Sequence, residues 1–152
     1  MSSSADQLTN VLLSEAKVTD ELLQAIEQKQ EALICFRSED LGIAVERERS
    51  LLKQMRALEQ ERQRIVAGLV ADLPDFKGRP EAVSLTEIGS KIDGVAGKRL
   101  LELAGRIKAS GALVQQKNQQ NRLLLDSSAR FVKNTLRILT DDHSRQIVDR
   151  TI

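Results

Sequence analysis

Residues 100–139 read LLELAGRIKASGALVQQKNQQNRLLLDSSARFVKNTLRIL. Steps of three and four residues through this stretch pick out Leu100, Leu103, Ile107, Gly111, Val114, Asn118, Asn121, Leu125, Ser128, Val132, Thr135 and Leu139. An unbroken 3.5-residue step predicts a long helix lying along other helices. At about 1.5 Å per residue, forty residues span roughly 60 Å. No globular domain of this size can wrap such a rod completely, so part of its apolar surface must be shared with something else. The stretch points to an interaction protein and away from an enzyme.

Two further stripes lie upstream. Leu8, Leu12, Glu15, Val18, Leu22, Ile26, Lys29, Leu33 and Phe36 repeat the same step, with Asp6 as a candidate cap. Glu15 and Lys29 make that seam partly polar. Near Arg37 the pattern breaks without Gly or Pro. Ser38 suits an N-cap, and Glu39 and Asp40 suit a first helical turn. The second stripe runs Leu41, Val45, Glu48, Leu52, Met55, Leu58, Arg62, Ile65, Leu69, Leu73. A short connection between two stripes that each need a neighbour predicts an antiparallel hairpin, with one bent helix as the alternative. Both prolines of the chain, Pro74 and Pro80, flank Gly78 in the one clear linker. Ser84-Leu85-Thr86-Glu87 has capping-box spacing, and Gly89, Gly94 and Gly97 then suggest a loose joint.

The expected organisation is all-α: an elongated coiled-coil-like bundle of about three long helices, an antiparallel helical hairpin plus a long C-terminal helix. One domain holds helix 1 at 6–37, helix 2 at 38–73, a linker with a short helix at 74–98, a long helix 3 at 99–140 and a tail at 141–152.

Composition agrees with long amphipathic rods. The 152 residues are 41% hydrophobic and 30% charged but only 2% aromatic, too few rings for a thick core. The formal net charge is +1, so the total implies neither nucleic acid nor an acidic membrane. Its distribution is uneven. The first helix is acidic and the last basic, which favours their pairing side by side. Arg106, Lys108, Lys117, Arg122, Arg130, Lys133 and Arg137 spread over several faces with no interleaved aromatic for base stacking, so no nucleic-acid partner is expected. The single Cys35 excludes an internal disulfide and suits a reducing compartment. Residues 1–6 lack the basic and apolar parts of a signal peptide, and the longest apolar run, Ile65 to Ala71, is far short of a membrane span. A cytoplasmic protein without membrane insertion is the expectation.

Catalytic patterns are missing. One histidine, His143, cannot supply a metal site or the paired Glu-x-x-His motifs of a di-iron bundle. Cys35 has no nearby His to activate it. Gly97-Lys98 resembles the end of a phosphate loop, but Ile92 and Arg99 stand where Gly and Ser or Thr are required. Glu46 and Glu48, or Glu59 and Glu61, are two apart and point to different helix faces. No cofactor is expected.

The long helix has a polar centre. Asn118, Asn121 and Ser128 at seam positions would fix register at some cost in stability. Alternatively, they make a seam weak enough for a partner segment to join or displace. Around them Leu123, Leu124, Leu125, Phe131, Val132, Leu136, Ile138 and Leu139 cover more than one face. A helix apolar beyond its own seam needs a second neighbour, either another copy of the chain or a foreign amphipathic helix.

The run Asn118-Gln119-Gln120-Asn121-Arg122-Leu123-Leu124-Leu125, followed by Ala129-Arg130-Phe131-Val132-Lys133-Asn134-Thr135-Leu136-Arg137-Ile138-Leu139, resembles the C-terminal signature of the FlgN family. Glu31-Ala32-Leu33, Leu51-Leu52 and Leu58-Glu59-Gln60-Glu61-Arg62 are similar to the same family's hairpin, and the likeness runs from Leu8 to Thr140. FlgN-like proteins are cytoplasmic chaperones of flagellar type III export. The resemblance therefore implies hook-associated (hook–filament junction) proteins as clients, kept unassembled and brought to the export apparatus. It implies a coiled-coil-like fold without cofactor. It also implies that the amphipathic terminal helix of the client is bound by Leu125, Phe131, Val132, Leu136 and Leu139, and by Ile147 and Val148 in the tail. The tail beyond Asp141 has no counterpart in the likeness. The competing reading is a homo-oligomeric scaffold, with a homodimer consuming the same surface.

Overall fold

The computed structural model describes residues 3–72, 84–92 and 94–151, with side chains as far as Asp141. Every described element is helical: α1 (Ser4–Ile34), α2 (Ser38–Asp72), α3 (Leu85–Lys91) and α4 (Val95–Thr151). No strand occurs among the described residues. The linker around Pro74 and Pro80, and Leu73, lie outside them.

Capping decides where α1 and α3 begin. Ser3 is the N-cap of α1, and Asp6 serves at the third helical position instead of capping. The Ser3 Oγ accepts from the Asp6 N–H at 3.2 Å, and the Asp6 carboxylate accepts from the Ser3 N–H at 3.1 Å. Ser84 and Glu87 make the same reciprocal pair at the start of α3. Ser38 is already the first residue of α2. Its place as cap is taken by Arg37, whose carbonyl accepts from the Leu41 N–H.

A turn of three residues separates α1 from α2, so the hairpin reading holds over the bent helix. The Arg37 N–H donates to the Ala32 carbonyl and the Cys35 N–H to the Glu31 carbonyl, which closes the end of α1. This closure needs a left-handed residue, and Phe36 supplies it at φ 55°. Phe36 was expected in the α1 seam. The turn throws it out to 81% exposure. A side chain with Cβ is strained in this region, so Phe36→Gly should stabilise the protein by about 1 kcal/mol. Urea midpoints would check this, and an unchanged or lower midpoint contradicts it.

Cross-helix bonds give the directions. Lys29 meets Glu48 and Glu15 meets Arg62; as one number rises the other falls, so α1 and α2 are antiparallel. Asp20 meets Arg106 and Gln30 meets Gln120, both numbers rising together, so α4 runs parallel to α1. Thus α1 is the helix that both long neighbours share, and α3 lies on the start of α4. The Arg106–Asp20 pair is where the acidic and basic helices meet.

The core is thin and aliphatic, as three Phe would allow. One cluster joins Leu8 and Leu12 to Ile65, Val66, Val70, Ile88, Leu100 and Leu103. A second joins Val18, Leu22, Ala25 and Ile26 to Leu51, with Met55, Leu58 and Val114 beside it. On α2 the buried seam differs from the expected one: Ala44 and Leu51 face α1, and the predicted Val45 and Leu52 are turned further out. With this change the α2 seam reads Ala44, Glu48, Leu51, Met55, Leu58, Arg62, Ile65, Leu69, a regular alternation of four and three.

The two polar positions of the α1 seam each have a partner on α2. Lys29 Nζ lies 3.0 Å from Glu48, and Arg62 Nη1 lies 3.4 Å from the buried Glu15. Burial raises the Glu15 pKa more than the Arg62 charge lowers it, and Glu59 adds to the rise. A carboxyl whose folded pKa is raised contributes stability at low pH that is lost as pH rises through that pKa. Glu15→Gln should therefore gain on the wild type more at about pH 7.5 than at about pH 5. Denaturant midpoints of both chains at both pH values test this, and a difference independent of pH would refute it.

The segment of glycines is a tight crossing, not a loose joint. Gly94 sits at φ 81°, and α4 starts at Val95, ahead of the expected residue 99. A Cβ on Gly97 would stand 2.0 Å from the Ile92 carbonyl oxygen and 2.7 Å from that of Gly89, so only glycine lets α3 pack there. The backbone of 141–151, expected as a tail, continues α4 as helix.

Candidate functional site

The length mismatch between α1 and α4 creates the site. α1 has 31 residues and α4 has 57. Partners across the α1–α4 seam are separated by 86 to 95 positions. α1 ends at Ile34, so its cover on α4 ends near residues 124–128. The 27 residues from 125 to 151 extend about 40 Å beyond it.

Asn121 marks the end of the covered seam. Its residue is 1% exposed, and its Nδ2 donates to the Ile26 carbonyl at 3.1 Å. Its Oδ1 is buried with no partner. The bond goes to backbone, so the amide ties α4 to a fixed level of α1 whatever side chain stands at position 26. Asn118 and Ser128 are half-buried and make no side-chain hydrogen bond among the described residues.

Past Ser128 every described side chain is exposed. Phe131 is 68% exposed and Leu136 59%, with Leu125, Val132 and Leu139 also exposed. Leu123 and Ile138 join them. Of the residues singled out from sequence, these five apolar ones therefore lie along one overhanging helix. Val132, Thr135 and Leu139 continue the face that packs on α1, and Phe131 and Ile138 widen it on one flank. Ile147 and Val148 are helical in backbone, and their side chains lie outside the described residues.

Arg122, Arg130, Lys133 and Arg137 form a stripe turned away from that face, and none makes an ion pair among the described residues. Along 122–141 only Asp126 and Asp141 oppose them in charge. The hairpin tip adds three more exposed apolar side chains, Ile34, Phe36 and Ile43. Sequence reading missed the tip. The signal was available in Ile43, which falls off the α2 stripe, and was absent for Phe36, which falls on the α1 stripe.

The arrangement can hold an amphipathic segment by burial of apolar surface. Among the described residues no group of three or more His, Cys, Asp or Glu could hold a metal ion, and no helix is long and apolar enough to cross a membrane. The sequence model of one family, described as FlgN protein, matches residues 1–148. No curated protein and no solved structure matches the chain.

Proposed function

Because this chain belongs to the FlgN family, whose general role is flagellar export chaperoning, we propose that it binds hook-associated flagellar proteins in the cytoplasm, keeps them from assembling early and brings them to the export apparatus. The observation that carries this reading is the overhang of α4: an apolar face unpaired from Ser128 onward on a helix that is otherwise packed. Burial of such a face stabilises a complex by about 25 cal/mol per Å² of apolar area. A client's terminal amphipathic helix supplies the missing neighbour, and covering that helix blocks the contacts it makes in the assembled filament junction.

The competing occupant of the same face is a second copy of this chain. The deciding experiment is co-purification of the full chain with hook-associated proteins, alongside sedimentation of the chain alone. Client retained by a monomeric chain is the expected outcome. A tight self-association that leaves the client unbound would overturn the reading.

A further inference from the structure

We infer that α4 is hinged at Val114: above that residue it parts from α1 and recloses while the rest of the chain stays folded. The inference concerns the body itself and holds whatever partner the overhang takes.

Three observations lead to it. First, the α1–α4 seam changes character along its length. Below the hinge α4 buries Leu100 and Leu103, both in the first core cluster, and half-buries Ile107. Val114, half-buried beside the second cluster, is the last residue of α4 in either. Past it the buried or half-buried positions are Lys117, Asn118, Asn121, Leu124 and Ser128, and of these Leu124 alone is apolar.

Second, the bonds across the upper seam add little strength. Gln30 accepts from Lys117 Nζ at 3.4 Å and donates to Gln120 at 3.0 Å, and Asn121 Nδ2 donates to the Ile26 carbonyl at 3.1 Å. Each of these groups finds water when the helices part, so little is lost. Among the described residues the one ion pair joining α1 to α4, Asp20–Arg106, lies below the hinge. The Asn121 amide also works against closure. Its Oδ1 is buried without a partner, and parting the helices returns it to water. A buried acceptor left unpaired costs at least as much as a neutral hydrogen bond gains. Asn121 therefore sets the level of α4 on α1 without holding the two together.

Third, α4 has no other support at this height. α3 lies against its start, and above α3 the one helix whose backbone lies against α4 is α1, among the described residues. Past Ser128 every described side chain is exposed, so nothing farther along α4 resists parting. Opening uncovers Ile26 on α1 and lengthens the free part of α4 by residues 115–124, about 15 Å of helix. The reach of the overhang is thus set by an equilibrium within the chain as well as by the end of α1.

The test follows one buried thiol in the full chain carrying Cys35→Ser, which removes the exposed native one. Ile26→Cys reports the upper seam and Leu12→Cys the lower, and both positions are fully buried. Labelling by an aromatic disulfide without denaturant gives the frequency of opening, and urea unfolding of each variant gives that of complete unfolding. The Leu12→Cys thiol should label only as fast as complete unfolding allows. The Ile26→Cys thiol should label at least about 100-fold faster than its own complete unfolding allows. Adding Asn121→Leu should slow it at least about tenfold. Asn121→Cys, outside both core clusters, is a second upper probe that leaves the core intact and should show the same excess. Upper thiols that label no faster than complete unfolding allows would show a single cooperative body and overturn the hinge. So would labelling that Asn121→Leu leaves unchanged or speeds up, since the amide would then not be what loosens the seam.

Discussion

A Phe131→Asp, Leu136→Asp double variant should bind a hook-associated client at least about 100-fold more weakly than the wild type, with the melting temperature unchanged to within a few degrees. The two side chains belong to the widest exposed apolar stretch and lie beyond the last covered residue of α4. Each is worth about 1.5–3 kcal/mol when a partner buries it. An aspartate in its place must also lose water on binding. The folded body loses nothing, because neither side chain belongs to either core cluster. Titration calorimetry and thermal unfolding read the two effects separately. Equal affinity would remove this surface from the binding site, and a large fall in melting temperature would show that the overhang is packed in solution.

Gly97→Val should lower stability by about 3 kcal/mol, while Gly105→Ala in the same helix should raise it by about 1 kcal/mol. The opposite signs come from surroundings alone. At Gly97 a Cβ meets two backbone carbonyl oxygens, at 2.0 and 2.7 Å, and backbone cannot swing aside as a side chain can. Relief requires α3 to leave α4, which uncovers Ile88 and removes a neighbour of Leu100. At Gly105 nothing lies within 4 Å, so the substitution changes only helix propensity. Urea unfolding of both variants decides. Equal shifts of one sign would mean that the crossing at Gly97 does not hold α3.

The α1 and α4 stripes were legible because each repeats over many turns and each helix has a long neighbour. Leu8, Leu12, Glu15, Val18, Leu22, Ile26 and Leu33 are among the residues α1 buries, since α1 is flanked on two sides and a one-residue error still falls inside the contact. α2 has α1 alone as a long partner, so its buried strip is narrow. There the larger apolar side chains mark Val45 and Leu52, whereas the helix buries Ala44 and Leu51. Phe36 had the right spacing and the wrong backbone. Nothing in the residue string shows that the turn needs a left-handed residue at that point. Gly97 was visible as glycine, but its reason is a distance between two backbones that only the folded chain creates. The overhang was readable because the α4 stripe outlasts any stripe upstream. Its starting point was not, since that depends on where α1 stops relative to α4.

The paired charges between α1 and α2 reach further than their modest energy. Slide the hairpin by one heptad and Glu15 falls against Met55 or Leu69, a carboxylate pressed onto grease. Slide it by two and either Glu15 faces Glu48 or Lys29 faces Arg62, like against like. Because the acid stands on α1 in one pair and on α2 in the other, every neighbouring misalignment is penalised and a single one survives. The two ion pairs thus fix which residues of α2 stand beside the end of α1, at the level where the overhang of α4 begins.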